Sequence, residues 1–354
     1  MKAIKSLYAV MFMAAIAVMI ASVTGFSVAP VFGTLVLTSF IPMPKGIAVM
    51  ALQKEIWQND IIGNLFKNNE FALRAFNGDS FVLAGKVVHI PVAGASAQTK
   101  KNLTAFPQVA INRADSELTY ALDTYYALPR QIQDIEKYEL SYDKRMSVVG
   151  DDIKQLVQDA MDGLLIRWAP GAANVIETTG PASGADLIDG TATGTRTAFT
   201  KAEIKLIAKK FANTNMAGML TALLTANHYH QFFESLSDAE KTNFNNVADL
   251  KNGIVGRYMG IDILMRSSVL RYRKVAGVYT AIDTQDPAFV AGLTDSAASL
   301  FYVDTAVERA KGETIVFEDN NNPLYYGDVF SAYMRLGGRI RRNIGVFAVV
   351  ELAA

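Results

Sequence analysis

The sequence predicts an α+β chain, and three stretches carry that prediction. Residues 141–168 place Tyr142, Met146, Val149, Ile153, Leu156, Val157, Ala160, Leu164 and Trp168 at three- and four-residue spacing, the stripe of one long amphipathic helix. At about 1.5 Å per residue it would reach about 40 Å. Residues 253–270, reading G-I-V-G-R-Y-M-G-I-D-I-L-M-R-S-S-V-L, set Gly253, Gly256 and Gly260 ahead of a period-two run. Ile261, Ile263 and Met265 share one face of that run, and Asp262, Leu264 and Arg266 the other. This is a glycine turn feeding a strand, with positive φ or close backbone approach at the glycines. Residues 81–127 alternate on either side of a small, polar tip at 94–106, as a long hairpin would.

The remaining elements follow in order. Lys2 and Lys5 precede an uncharged run from Ser6 to Pro44, and Ser27, Val28 and Ala29 make a small-x-small site, as in a secretory signal. The run outlasts the roughly 20 residues that span a bilayer. Gly25, Pro30, Gly33, Pro42 and Pro44 break it into short pieces, however. The preferred reading is an apolar N-terminal arm lying across its own or a neighbouring subunit; a signal or membrane anchor, and a natural start at Met50, are the alternatives. Residues 51–66 form a short amphipathic helix with Leu52, Ile56, Ile62 and Phe66 inward, joined by Trp57 and Leu65. Residues 71–74 lead into the hairpin, whose first side, 81–92, is a strand pair or one long strand. Its return runs through 108–113 and 117–127, where Leu118, Tyr120 and Leu122 alternate with Thr119, Ala121 and Asp123.

Pro170 ends the long helix, and Gly150 within it costs about 1 kcal/mol and marks a kink or a close approach. Residues 169–199 are rich in Gly, Ala and Thr and read as a loop or short hairpin. Thr200 and Glu203 form a capping box for a helix with Ile204, Ile207, Ala208 and Phe211 inward. A buried strand at 217–225 precedes a helix at 228–236 capped by Asn227, and 238–250 is helical in part. Residues 272–284 make a hairpin turning at Gly277. Strands follow at 299–303 and 314–318, with a turn at 319–322, and 326–351 closes the chain as β structure.

Composition narrows the function classes. The 354 residues carry 34 basic and 34 acidic side chains, so no global charge recruits nucleic acid or an acidic partner. Cysteine is absent, which excludes disulfides, thiolate nucleophiles and cysteine-ligated metals. The apolar content of 51% is high for a monomer, and either surfaces buried between subunits or the N-terminal run would account for it.

No nucleophile elbow, Walker A loop or dinucleotide fingerprint occurs. G-T-A-T-G-T-R at 190–196 reads as a flexible loop rather than a phosphate cradle. His228 and His230 do not share a helix face, though His230 and Glu234 do, and the histidines read as a surface or interface pair rather than a metal site. His89 reads as a hydrogen-bonded core or interface residue. Asp151, Asp152, Asp159 and Asp162 lie on the polar side of the long helix as a solvated or salt-bridging face. Arg335, Arg339, Arg341 and Arg342 form the densest basic cluster; in a strand Arg339 and Arg341 share a face and Arg342 takes the other. They read as ion pairs between subunits, with acidic patches such as Glu136 and Glu139, in preference to DNA phosphate contacts. No catalytic, cofactor-binding or metal-binding residue is assigned.

Four phrases stand in a telling order: A-L-L-T-A-N-H-Y-H-Q-F-F-E at 222–234, the glycine stretch, S-L-F-Y-V-D-T-A-V-E-R-A at 299–310, and N-P-L-Y-Y-G-D-V-F-S-A-Y-M-R-L-G-G-R-I-R-R at 322–342. This succession resembles the tailed-bacteriophage major capsid protein family, whose fold is named after phage Hong Kong 97, over residues 50 to 354. The resemblance implies an α+β, Hong Kong 97-like fold. Residues 1–50, which the resemblance leaves uncovered, would be the N-terminal arm, 51–80 a short helix and lead-in, and 81–130 the extended hairpin loop. Residues 131–214 would be a peripheral domain with its spine helix at 141–168, 215–320 an axial domain, and 321–354 return strands.

The resemblance also implies a structural protein with no enzyme activity and no cofactor. It would be a major capsid subunit that self-assembles through pentamers and hexamers into an icosahedral shell around phage double-stranded DNA. Scaffolding, portal and decoration proteins would be further partners. DNA would be enclosed without sequence-specific binding, and the mature particle would hold no membrane. The expected location is the virion, after assembly in the bacterial host cytoplasm. The lysine–asparagine cross-link of some family members would fall to Lys100 or Lys101, and it is left unassigned. An encapsulin-like nanocompartment shell and an exported, membrane-attached protein are the alternatives.

Overall fold

The computed structural model describes residues 69–354, apart from 84–85, 93–100, 103–115, 134–143, 185–191, 215, 217, 250–252 and 354. The expectations for the arm, the 51–66 helix, Lys100, Glu136 and Glu139 lie outside the described residues, as does the hairpin tip save for exposed Lys101 and Asn102. The described residues are α+β.

One helical turn, α1 (Glu70–Leu73), leads to β1 (Phe76–Asn77). Then come β2 (Val82–Leu83), β3 (Val87–Val92) and β4 (Ser116–Ala121), with β3 antiparallel to both neighbours. The hairpin ends at Ala121, short of the expected 127. Leu122 is buried in a corner, its N–H donating to the Lys86 carbonyl, and β5 (Asp123–Gln133) departs for another sheet.

Helix α2 (Lys144–Arg167) buries Ile153, Leu156, Val157, Ala160 and Leu164 as its spacing requires, and also Met161 and Leu165. Gly150 has open space around it; the close approach is at Gly163, where a Cβ would overlap the Tyr125 phenol. Trp168 packs between Phe71 and Tyr302, at 6.0 and 5.4 Å between ring centroids.

Strand β6 (Val175–Glu177) and the small hairpin β7 (Ala182–Gly184) and β8 (Thr195–Thr197) lead to α3 (Lys201–Thr214). The capping box there is half formed: Glu203 accepts from the Thr200 N–H and hydroxyl, but the Thr200 hydroxyl accepts from Ala202 instead. Glu203 is buried and also accepts from the N–H and hydroxyl of Thr179. Burial alone would raise its pKa, yet hydrogen bonds, those of the Thr179 and Thr200 hydroxyls foremost, hold it below the usual carboxylate value.

Strand β9 (Leu220–Thr225) runs directly into α4 (Ala226–Ser235). Asn227 lies inside that helix; the cap is Thr225, in extended backbone, whose hydroxyl accepts from the His228 N–H at 3.2 Å. Helix α5 (Asp238–Asn245) carries a full capping box between Ser237 and Glu240.

Strands β10 (Ile254–Tyr258) and β11 (Ile261–Arg266) join through Met259 and Gly260, both at positive φ, as a type I′ turn demands. Strands β12 (Leu270–Val275) and β13 (Val278–Ala281) repeat the device at Ala276 and Gly277. Gly256 has no positive φ. It sits in β10 against Phe244, and a Cβ would overlap three carbons of its ring, Cζ, Cε1 and Cε2. Its glycine requirement is one of packing, not of a turn.

Strands β14 (Asp295–Val303), β15 (Val307–Asn322), β16 (Gly327–Ile340) and β17 (Val346–Val350) complete the chain. Residues 319–322, expected as a turn, continue β15; the reversal comes at 323–326, where Asn322 faces Gly327.

β14 is the hub of an eight-stranded sheet. Ala298 pairs with both Leu270 and Val350, and Leu300 with both Leu223 and Ala348. So β12 and β9 share one edge of β14 end to end, while β17 holds the other. β14 is accordingly buried on every residue. A second sheet orders β1, β15, β16 and β5, and α2 packs along it. The chain passes between the two sheets at 304–306.

Candidate assembly surface

The histidine pair separates. His230 is exposed, whereas His228 is fully buried, stacked on Phe199 at 5.1 Å. His228 Nδ1 lies 2.7 Å from Ser299 Oγ, and Nε2 lies 3.4 Å from Glu351 Oε1. Serine, histidine and carboxylate in a row are the parts of a nucleophilic site, but Ser299 and Glu351 are as buried as the histidine, so no substrate reaches them. They tie β14, α4 and the chain end together. Sequence reasoning missed this row because its members lie far apart in the chain. Among the described residues no three histidine or acidic side chains gather as a metal site.

Arg196 is buried and donates to the carbonyls of Thr193, Thr195, Leu293 and Asp295, so it clamps its loop to the segment before β14. His89 meets Glu117 across the hairpin at 2.5 Å, on its solvent side. Asp151 pairs with Lys154 at 3.0 Å, Asp152 with Arg130 at 3.2 Å, and Asp162 with Arg266, while Asp159 accepts from Gln155. A cavity of about 60 Å³ beside α2, lined by Asp162, Ser267, Arg271 and Asp283 among others, is far smaller than metabolite sites of roughly 300 Å³ and above.

The arginine cluster is a correction. Arg339 Nε and Arg341 Nε lie 3.6 and 3.5 Å from Glu308 Oε2 in the same subunit, and Arg335 lies 3.9 Å from Glu313. Glu308 of β15 stands directly across from Arg339 of β16, so these arginines meet acids of their own chain, where partners on other subunits were expected. Arg342 is exposed.

What the described residues do offer is apolar surface. Residues facing each other across antiparallel strands share a face. Ile315 and Tyr333 therefore lie on one face of the four-stranded sheet with Phe317 and Tyr126, and α2 lies on the other, against Tyr125 and Met334. Phe317, Tyr333 and Tyr126 form a row with centroids 5.8 and 6.0 Å apart, and Tyr126 is 70% exposed. Beside it β5 bulges: Phe330 pairs with Arg130 and Ala332 with Ala127, leaving Leu128 and Pro129 opposite Ser331. The bulge turns Leu128 outward to 80% exposure and returns Ile132 to the core. At the far end, the 323–326 reversal leaves Leu324 and Tyr326 82% and 80% exposed.

No protein-family model and no curated protein matches the sequence. Solved structures do. The capsid of Ralstonia phage GP4 matches with a TM-score of 0.54 at 11% identity, over 79% of this chain and 87% of that one. The capsid of Cyanophage P-SCSP1u matches with a TM-score of 0.53 at 15% identity, over 78% of this chain and 86% of that one. The capsid of a native GTA particle matches with a TM-score of 0.51 at 12% identity, over 81% and 91%. Likeness at such low identity speaks to fold alone. With its two larger sheets, long helix and hairpin, the chain has the fold of tailed-phage capsid structures, the Hong Kong 97-like fold.

Proposed function

We propose that the chain is the major capsid subunit of a tailed bacteriophage or prophage, and that it self-assembles through pentamers and hexamers into an icosahedral shell around double-stranded DNA. The observation that carries this reading is the fold, shared with phage capsids over 78–79% of the chain. The surface supports it. Tyr126, Leu128, Leu324 and Tyr326 leave apolar area in water that neighbours would cover, at about 25 cal/mol per Å². A net charge of zero suits a wall that encloses DNA without reading it.

In this reading the four-stranded sheet with α2 is the peripheral domain, the eight-stranded sheet the axial domain, and the hairpin reaches over an adjacent subunit. Scaffolding, portal and decoration proteins are further partners. The subunit is a virion component assembled in the host cytoplasm. Among the described residues no helix is long and apolar enough to cross a membrane.

Electron microscopy of the purified full-length protein tests the proposal. Closed shells of uniform size that carry nucleic acid are expected. A monodisperse monomer, or protein recovered with membranes, would overturn it. Shells filled with protein in place of DNA would assign the chain to an encapsulin-like compartment.

A further inference from the structure

Two phrases of the sequence, A-V-E-R-A at 306–310 and R-I-R-R at 339–342, meet at one side chain, Glu308. It is fully buried. From β4 of the hairpin, the Tyr120 hydroxyl donates to its Oε1 at 3.2 Å. From β16 and the segment after it, Arg339 and Arg341 close on its Oε2. Arg339 also lies over the Tyr120 ring at 5.6 Å, and Arg341 over Phe76 of β1 at 4.0 Å. A Cβ at Gly78 would come 2.6 Å from Glu308 Oε1, so the carboxylate occupies the space a side chain there would need. Next to it Asp79 accepts the Lys311 N–H at 2.7 Å and lies 3.6 Å from Arg309. The backbone of Glu308 is held from the other side, where Nε1 of Trp168, the residue after α2, donates to its carbonyl at 2.8 Å.

Among the described residues, the apolar packing at the hairpin root is separate from the main core. Val88, Leu122 and Ala310 form a buried cluster of their own, with Phe81, Val82 and Tyr120 against it, outside the main core. The root of the hairpin therefore rests on a small apolar patch and on the Glu308 cluster. Segments with few buried apolar contacts open at lower free energy than the core that carries them. A buried carboxylate is stable only when charged and hydrogen-bonding groups converge on it. Swinging the hairpin away would take Tyr120 from Glu308 and leave the acid short of a donor. Burial and the negative charge of Glu308 both raise the Tyr120 pKa, which keeps the phenol protonated and able to donate.

We propose that Glu308 is the positioning residue of the hairpin root: with Tyr120, Arg339 and Arg341 it locks β3 and β4 at one angle on the four-stranded sheet, and these two strands move together when that lock opens. The lock is a property of the single subunit; only its use in shell formation rests on the capsid reading.

Hydrogen exchange on the unassembled full-length subunit tests it, and does so whether or not the protein forms shells. Tyr120→Phe removes the hydroxyl and keeps the ring. Losing a hydrogen bond to a carboxylate should raise the open population about tenfold or more. The amides of Val87–Val92 and Ser116–Ala121 should then exchange faster by that factor, while those of β14 keep their protection. Glu308→Gln should loosen the same amides, and the double variant no more than the more strongly loosened of the two singles, because both changes act on one contact. Hairpin amides unchanged in Tyr120→Phe, equal loosening of β14, or additive effects in the double variant would each overturn the lock.

Discussion

Gly256→Ala probes the packing of β10 on α5. The new Cβ would lie 2.5 Å from Cε1 and Cε2 of Phe244. Carbon atoms rest about 3.5–4.0 Å apart, so about 1 Å of displacement is needed. The ring has little freedom to yield. It is 1% exposed and is flanked by Phe232, Phe233 and Tyr229, with centroids at 5.6, 6.2 and 6.3 Å. Overpacking of this kind costs about 1–3 kcal/mol. Alanine recovers about 0.5–1 kcal/mol over glycine within a strand. The net expectation is a loss centred on about 1 kcal/mol, and more for Gly256→Val, which adds two further methyl groups. Urea unfolding of the unassembled subunit measures it. The same substitution in a Phe244→Leu background identifies the cause, since leucine lacks the clashing ring atoms. There the cost should shrink by about 1 kcal/mol. A wild-type midpoint for Gly256→Ala, or an equal cost in both backgrounds, would refute the argument.

Three further outcomes are expected. Asp295 is fully buried and accepts from Arg273 at 2.5 and 3.0 Å and from the Gly292 N–H at 3.0 Å, so Asp295→Asn should cost about 2–3 kcal/mol in urea unfolding. An unchanged midpoint would show that the pair contributes nothing. Burial would raise the pKa values of Glu203, Asp262 and Asp295, but their hydrogen bonds and arginine partners depress all three. Their contribution is complete above about pH 4.5 and is lost as pH falls through the depressed values. Glu308 has the opposite sign, because burial raises its pKa and its share fades as pH rises through that value. The unfolding midpoint should therefore drop between pH 6 and pH 3, and a midpoint that holds or rises would contradict the carboxylate assignment. Finally, deleting residues 94–103 and closing the gap with a short turn should leave the circular dichroism and elution of the subunit unchanged while blocking shell formation in electron microscopy. Normal closed shells would remove the hairpin tip from assembly, and an unfolded product would place it in the core.

Local periodicity and local chemistry were legible in the sequence. The stripe of α2 could be read because a helix repeats its buried face every three to four residues, so Ile153, Leu156, Ala160 and Leu164 announce one another. Gly260 and Gly277 could be read as turn residues because a two-residue hairpin needs positive φ, whatever surrounds it. The order of four phrases was enough to suggest the fold. What the sequence could not contain was the identity of partners brought together from afar. Glu308 meets Tyr120 across 188 positions, and so the arginines at 339 and 341 were sent outward to other subunits when their acid lay one strand away. Gly163, not Gly150, marks the close approach on α2, because only the packed sheet brings Tyr125 there. Gly256 is required by the ring of Phe244 rather than by its own backbone angle. Thr225 displaced Asn227 as the helix cap because β9 delivers it already extended. In each case the deciding contact is long-range or depends on how one element enters the next, and only the tertiary structure sets those distances.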